Sequence, residues 1–192
     1  GGGVTWRYTL AHPEKVEAML LIDSSGLPQF RQELETMANQ LDQDQKEAPV
    51  FFSLMQKPWF RAIAKYLDPY WITKQGVNSA YNYSPMVTEE LIQRYYELAL
   101  RDGSRDATLS RFSTYNTTEA PVDSAKFTAP ALIMWGREDS LIPVDVAELF
   151  DDALERSTMV IYDNVGHMPM EEIPNRSAKD VSTFLFEIYD AN

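Results

Sequence analysis

Three short apolar runs stand out from an otherwise mixed chain: Ala18 to Ile22, Ala131 to Trp135, and Thr158 to Tyr162. Each is aliphatic or β-branched on both parities instead of alternating, which is the pattern of strands buried on both faces of a parallel sheet. Amphipathic stretches separate them. A first helix is expected from about Gly2 to Ala11, with Val4, Tyr8 and Ala11 on its apolar face and Pro13 marking its end. A second follows Pro143, where Val144, Ala147 and Phe150 recur at helical spacing. A third begins near Asn175 and carries Val181, Phe184, Leu185 and Ile188. Helix, strand, insertion, strand, helix, strand, helix is an α/β order with right-handed crossovers.

From about Leu27 to Glu119 no convincing strand occurs, and the pattern is helical. Gln29 to Leu41 is polar and helix-prone, and Val50 to Leu67 is rich in Phe, Trp and Met. Thr88 opens a helix whose Glu89 and Glu90 suit its positive end. Along it Leu91, Ile92, Tyr95, Leu98 and Ala99 form one stripe, and Asp102-Gly103 supplies the stop. An all-helical insertion between two strands is expected to form a lid over the strand ends. The expected division is therefore a core helix and strand over 1–26, a helical cap over 27–119, and core strands and helices over 120–192.

A chain of 192 residues can bury about 70% of the surface its unfolded form exposes, enough for one core with an insertion. Seventeen Lys and Arg against 29 Asp and Glu give a net charge of -12, a field that repels nucleic acid and anionic lipid alike. Neither is expected as a partner. The absence of Cys removes disulfides, thiolate nucleophiles and zinc-thiolate sites, and with only two His no metal or other cofactor is expected. The apolar runs fall far short of the roughly 20 residues that span a bilayer, so a cytoplasmic chain is expected. It opens on Gly1-Gly2-Gly3 without Met, which suggests a start downstream of the gene's own.

Two stretches could carry chemistry. In Ala131-Leu132-Ile133-Met134-Trp135-Gly136-Arg137-Glu138-Asp139, a buried strand delivers a Gly turn and then an acid, with Pro143 starting the next helix. Asp139 thus sits beyond a strand's C-terminal end, where open α/β sheets keep their sites. In Met159-Val160-Ile161-Tyr162-Asp163-Asn164-Val165-Gly166-His167-Met168-Pro169 the same logic ends in a histidine. A carboxylate bonded to one ring nitrogen would fix the tautomer and leave the other nitrogen as a base. Alone, Asp139 is explained as a turn cap and His167 as a satisfied loop histidine. Their order, each after a buried strand and a glycine, points to chemistry. Asp23 is an alternative acid, ranked below Asp139. Ser24 and Ser25 fit turn chemistry or the site floor, and His12 fits a helix C-terminus. Asp163 and Glu171 could steady the histidine loop, although solvated loop carboxylates are commoner.

Trp135-Gly136-Arg137-Glu138-Asp139 with Pro143, and Gly166-His167-Met168-Pro169-Met170-Glu171-Glu172 with Pro174, resemble the acid and histidine loops of the α/β-hydrolase superfamily. Gly1 to Tyr8, with Ala11-His12-Pro13, resembles the helix after that family's G-x-S-x-G elbow. Ile22-Asp23 with Gly26 resembles the next strand and its exit. The resemblance implies the C-terminal part of this fold, three parallel strands with flanking helices and a helical lid after the first strand. It implies catalytic Asp139 and His167, with the nucleophile two residues before Gly1 and therefore outside the chain, so that the isolated chain is expected to be inactive. The activity implied is that of a serine carboxylesterase-like enzyme on a small apolar substrate. Dehalogenase, epoxide hydrolase and carbon-carbon bond hydrolase chemistries share these segments and stay open. So do a non-catalytic small-molecule binder and a product without independent function that self-associates through its unpaired sheet edge. Phe51, Phe52, Met55, Trp59, Phe60, Trp71 and Tyr81 or Tyr83 are candidate pocket wall. Of these Trp59 and Trp71, with Leu141 and Met168 beside the catalytic positions, are the expected substrate contacts.

Overall fold

The structure is a computed structural model that describes residues 1–40, 57, 59–60, 68–82, 84–114 and 119–190. Its elements in chain order are α1 (Gly2–Ala11), β1 (Met19–Ile22), α2 (Phe30–Gln40), α3 (Tyr70–Ala80), α4 (Glu89–Leu100), α5 (Ser104–Thr114), β2 (Ala131–Gly136), α6 (Asp145–Ala153), β3 (Ser157–Tyr162), the single turn α7 (Pro169–Glu172) and α8 (Pro174–Asp190). The strands form one parallel sheet in the order β1-β2-β3, with Met19 opposite Ala131 and Ala131 opposite Ser157. All three runs read as strands are strands.

Because successive side chains point to opposite faces, each strand feeds two cores. Met19, Leu21, Ala131, Ile133 and Trp135 pack with Trp6 of α1, Leu27 just before α2, Phe30 of α2, and Val146, Ala147 and Phe150 of α6. On the other face Leu132 and Met134 meet Phe184, with Leu20, Ile22, Val181, Leu185 and Ile188 around them. Full burial of one such side chain contributes roughly 1.5–3 kcal/mol, whereas exposed ion pairs such as Arg7–Glu119 contribute about 0–1 kcal/mol. The two apolar layers therefore dominate.

The strand pattern holds fully only for β2, which is buried throughout. β3 lies at the sheet edge with Thr158 and Met159 exposed, because nothing described covers that part of its surface. The expected apolar face of α1 is also corrected: Val4 and Tyr8 are 74% and 48% exposed and Ala11 is exposed, while Trp6 and Thr9 are buried. Helix α1 turns Trp6 and Thr9 toward the sheet. There the Thr9 hydroxyl returns to the Thr5 carbonyl and lies 3.6 Å from Met19 Sδ, so its polar group is satisfied although buried.

The helical segment also departs in part from its expected outline. Leu27 and Phe30, placed in the cap by the 27–119 boundary, are buried in the core of the sheet, with Phe30 edge-on to Phe150 at 5.0 Å. The Gln29 side chain both donates to the Val122 carbonyl and accepts its N–H, at 2.9 and 3.0 Å. The two ends of the insertion are thus clasped across 93 positions. Helix α4 starts where expected, its Thr88 cap accepting from the Leu91 N–H at 3.2 Å, and Gly103 supplies the turn at φ 76°. Leu98 of its stripe is exposed, whereas Ile92, Leu91 and Tyr95 join Val77 and Tyr81 in a small third core that includes Met168. The Val50 to Leu67 reading, with Phe51, Phe52 and Met55, lies outside the described residues except at positions 57, 59 and 60, and so does Tyr83.

Two glycines decide how closely the loops approach. A Cβ on Gly136, at the end of β2, would stand 1.9 Å from the Gly166 carbonyl oxygen. One on Gly166 would stand 2.5 Å from the Ala80 carbonyl oxygen, so β2, the histidine loop and the C-terminus of α3 meet backbone to backbone. Gly136→Ala is expected to destabilise the chain by about 3 kcal/mol or more, since only backbone stands in the way. Urea unfolding checks this, and a loss below about 1 kcal/mol would contradict it.

Candidate active site

The loops after β2 and β3 are stitched together before any catalytic contact is made. Arg137 N–H donates to the Tyr162 carbonyl at 2.9 Å and Glu138 N–H to the Val165 carbonyl at 3.1 Å. The Glu138 carboxylate in turn accepts the Val165 N–H at 3.1 Å. Trp135, fully buried, donates its indole N–H to the Ile142 carbonyl at 3.0 Å and so anchors the far side of the acid loop.

Within this frame Asp139 Oδ1 accepts the N–H groups of Leu141 and Ile142 at 2.8 and 3.1 Å, closing a turn. Its Oδ2 lies 2.7 Å from His167 Nδ1. The Asp139 side chain is fully buried and that of His167 is 23% exposed. An ionised carboxylate only accepts, so the hydrogen is on Nδ1 and the Nε2 lone pair is free to take a proton. The structure therefore brings together the two residues that the sequence pairs.

The turn carrying His167 is held by a residue the sequence reading passed over. Glu172 accepts the Gly166 N–H on both carboxylate oxygens, at 3.0 and 3.1 Å, and the Met168 N–H at 3.2 Å. Its signal was a carboxylate five positions after His167, on a turn initiated by Pro169. Glu171 is not the solvated loop acid that base expectation favours: it accepts from Tyr81 at 2.6 Å and Tyr95 at 3.3 Å and pairs with Arg94. Desolvation first, and then that bond, push the Tyr81 hydroxyl well above its ordinary range. Asp163 pairs instead with exposed Arg137.

The helical segment reaches the same place. His167 N–H donates to the Ala80 carbonyl at 2.6 Å, at the C-terminal end of α3, and the Ser140 hydroxyl donates to the Ser79 carbonyl at 2.9 Å. Leu141 and Met168 flank the pair, both half-buried. Trp59 and Trp71 are 58% and 63% exposed on the helical segment, and the structure records no bond from them to the pair. A groove of about 490 Å³ beside the histidine loop is lined by Tyr81, Met86, Leu91, Arg94 and Glu171, but not by Asp139 or His167. His12 caps α1 through its backbone and lies against Tyr8, and Ser24, buried, donates to the Ser25 carbonyl.

Asp23, Asp139 and His167 each offer an atom within 4.8 Å of the others, the one such grouping among the described residues. Both oxygens of Asp139 and Oδ1 of Asp23 are already committed, the latter to the Gly136 N–H at 2.9 Å. Asp23 Oδ2 is left without a partner among them.

Residues 1–174 match the profile of the alpha/beta hydrolase fold family. The chain belongs to that family. Among curated relatives it is 22% identical over 189 residues to "Lipase 3" of Moraxella sp. (strain TA144), covering 96% of this chain and 53% of that protein. It is 23% identical to "2-hydroxymuconate semialdehyde hydrolase" of Pseudomonas sp. (strain CF600), covering 97% and 59%. The crystal structure of the meta-cleavage product hydrolase CumD from Pseudomonas fluorescens IP01 superposes with a TM-score of 0.72 at 20% identity, over 100% of this chain and 62% of that one. The alpha/beta hydrolase chain thus spans little more than half the length of the relatives it matches. No helix among its described residues is long and apolar enough to cross a membrane.

Glu172→Ala strips the acceptor from two loop N–H groups and is expected to cost about 2 kcal/mol, discounted for its half-buried position. Amide exchange at Gly166 and Met168 should accelerate with it, and unchanged exchange would show that Pro169 and Gly166 suffice to hold the turn.

Proposed function

We propose that Asp139 and His167 are the orienting acid and general base of a serine-type carboxyl ester hydrolase acting on a small apolar substrate. The observation that carries this reading is the 2.7 Å bond from His167 Nδ1 to a fully buried carboxylate, which leaves Nε2 bare. A hydroxyl delivered to Nε2 loses its proton as it attacks the ester carbonyl, the imidazolium returns that proton to the leaving alcohol, and water deprotonated by the same nitrogen then releases the acid from the acylated hydroxyl. That hydroxyl comes from a residue outside these 192 positions, because no G-x-S-x-G occurs within them and Ser24 is buried on a local backbone bond. The isolated chain is accordingly expected to show no turnover. In this reading Leu141 and Met168 wall the approach to His167, and the exposed rings of Trp59 and Trp71 belong to the cap that meets the apolar group. The similarity to lipases supports it.

A second reading is hydrolysis of a carbon-carbon bond by the same pair. It is favoured by the likeness to a 2-hydroxymuconate semialdehyde hydrolase and to CumD. The lipase and carbon-carbon readings share His167 and differ in the substrate that the cap admits.

The test is to join the chain to the upstream half of its own protein, in trans or as a fusion. Cleavage of a short-chain aryl ester should appear, and His167→Ala should lower it by about 10³-fold or more. Activity that survives the substitution would reject His167 as the base. Preference for a meta-cleavage product over the ester would move the assignment to the second reading.

A further inference from the structure

The acid and histidine have a third neighbour that the reaction above does not use. Asp23 follows β1 and is 4% exposed, held at φ 40° in the left-handed region that Asp and Asn tolerate best. Its Oδ1 accepts the Gly136 N–H at 2.9 Å, while its Oδ2 is buried and no donor reaches it. As a carboxylate, Asp23 would leave an orphaned acceptor beside the like charge of Asp139.

One proton removes both costs. A carboxylate offers about four acceptor positions, and Asp139 uses three of them, for Leu141, Ile142 and His167. The fourth can take a donor from Asp23, which offers a carboxylate oxygen within 4.8 Å of one on Asp139. We propose that Asp23 is a positioning residue that carries a proton and donates it to Asp139, so that the two carboxyl groups share one negative charge and Asp139 is held facing His167.

Burial, followed by the nearby charges of Asp139 and Glu172, raises the Asp23 carboxyl to about 8, against the lowering effect of the Gly136 N–H bond. The groups facing it are Asp139, Glu172 and His167 from the two catalytic loops, and Tyr162, whose hydroxyl donates to Asp180. The sign of the linkage follows. A raised carboxyl is neutral in the folded chain and ionised in the unfolded one, so its contribution is fully present below about pH 4 and is lost as pH rises to about 8. Above that pH a second negative charge stands next to the imidazole.

The inference deepens the ester-hydrolase reading and rests on it for any effect on turnover. Its test needs no turnover, so failure of the ester assay and failure of this proposal are separate results. The intact chain and its Asp23→Asn variant are compared, since the amide copies the protonated acid: its oxygen accepts from Gly136 and its N–H donates to Asp139. The His167 ring resonances should show a step near pH 8 in the wild type and none in Asp23→Asn. The Tm difference should move in favour of the variant by at least about 4 °C between pH 4 and 8 and then level off. Absence of the step in the wild type, or its persistence in the variant, overturns the proposal. Should the variant not fold, the carboxyl carbon resonance of Asp23 in the wild type decides instead: a midpoint near 8 supports the assignment, and one in the ordinary carboxylate range overturns it.

Discussion

The bond between Asp139 and His167 is the constraint around which this end of the molecule is built. A fully buried carboxylate is expensive unless its oxygens are occupied, and here two turn N–H groups and one imidazole occupy them. Those partners can converge only if the loops after β2 and β3 lie against each other. Their contact in turn depends on Gly136 and Gly166, where neither chain has room for a side chain. The parallel register of β2 and β3, with Gly136 opposite Tyr162, places both loops at the same edge before they leave the sheet. Sheet geometry, backbone approach and the chemistry of the pair are therefore one requirement.

The helical segment is tied into this arrangement at its most sensitive point. At the end of α3 the Ala80 carbonyl accepts from the backbone of His167 itself, and the Ser79 carbonyl accepts from the Ser140 hydroxyl as well as from the Asn82 N–H. Tyr81 adds a bond to Glu171, and Met168 shares an apolar cluster with Val77 and Ile92. Movement of α3 would thus be felt directly by the turn that carries the imidazole. On the opposite side, Asp23 links β1 to the same centre through Gly136, so each of the three strands contributes a loop to it.

Much of this was legible in residue pattern alone. Ala131 to Trp135 announces a central strand because it is apolar on both parities, and Gly-x-x-Asp and Gly-His after buried runs mark the places where side chains leave the sheet. Thr88 with Glu89 and Glu90 announces a helix start for reasons that need no tertiary context. The errors came where packing overrules periodicity. Helix α1 buries Trp6 and Thr9 while Val4 and Tyr8 face out, because the face that packs on β1 is set by contact with the sheet core and not by the apolar spacing of the helix itself. Glu172 and Glu138 were hidden for another reason: a carboxylate that accepts backbone N–H groups looks, in one dimension, like any solvated acid. Asp23 was visible as a rival to Asp139, but its unpartnered oxygen exists only in three dimensions.

The central claim is that Asp139 holds the His167 ring with its hydrogen on Nδ1 and its Nε2 bare. Nitrogen-15 spectra of the His167 ring in the intact chain near neutral pH measure this directly. The account requires one protonated nitrogen, Nδ1, with a hydrogen bond that disappears in Asp139→Ala. A ring protonated on Nε2 with Nδ1 bare, or one unaffected by loss of the Asp139 carboxylate, would contradict it.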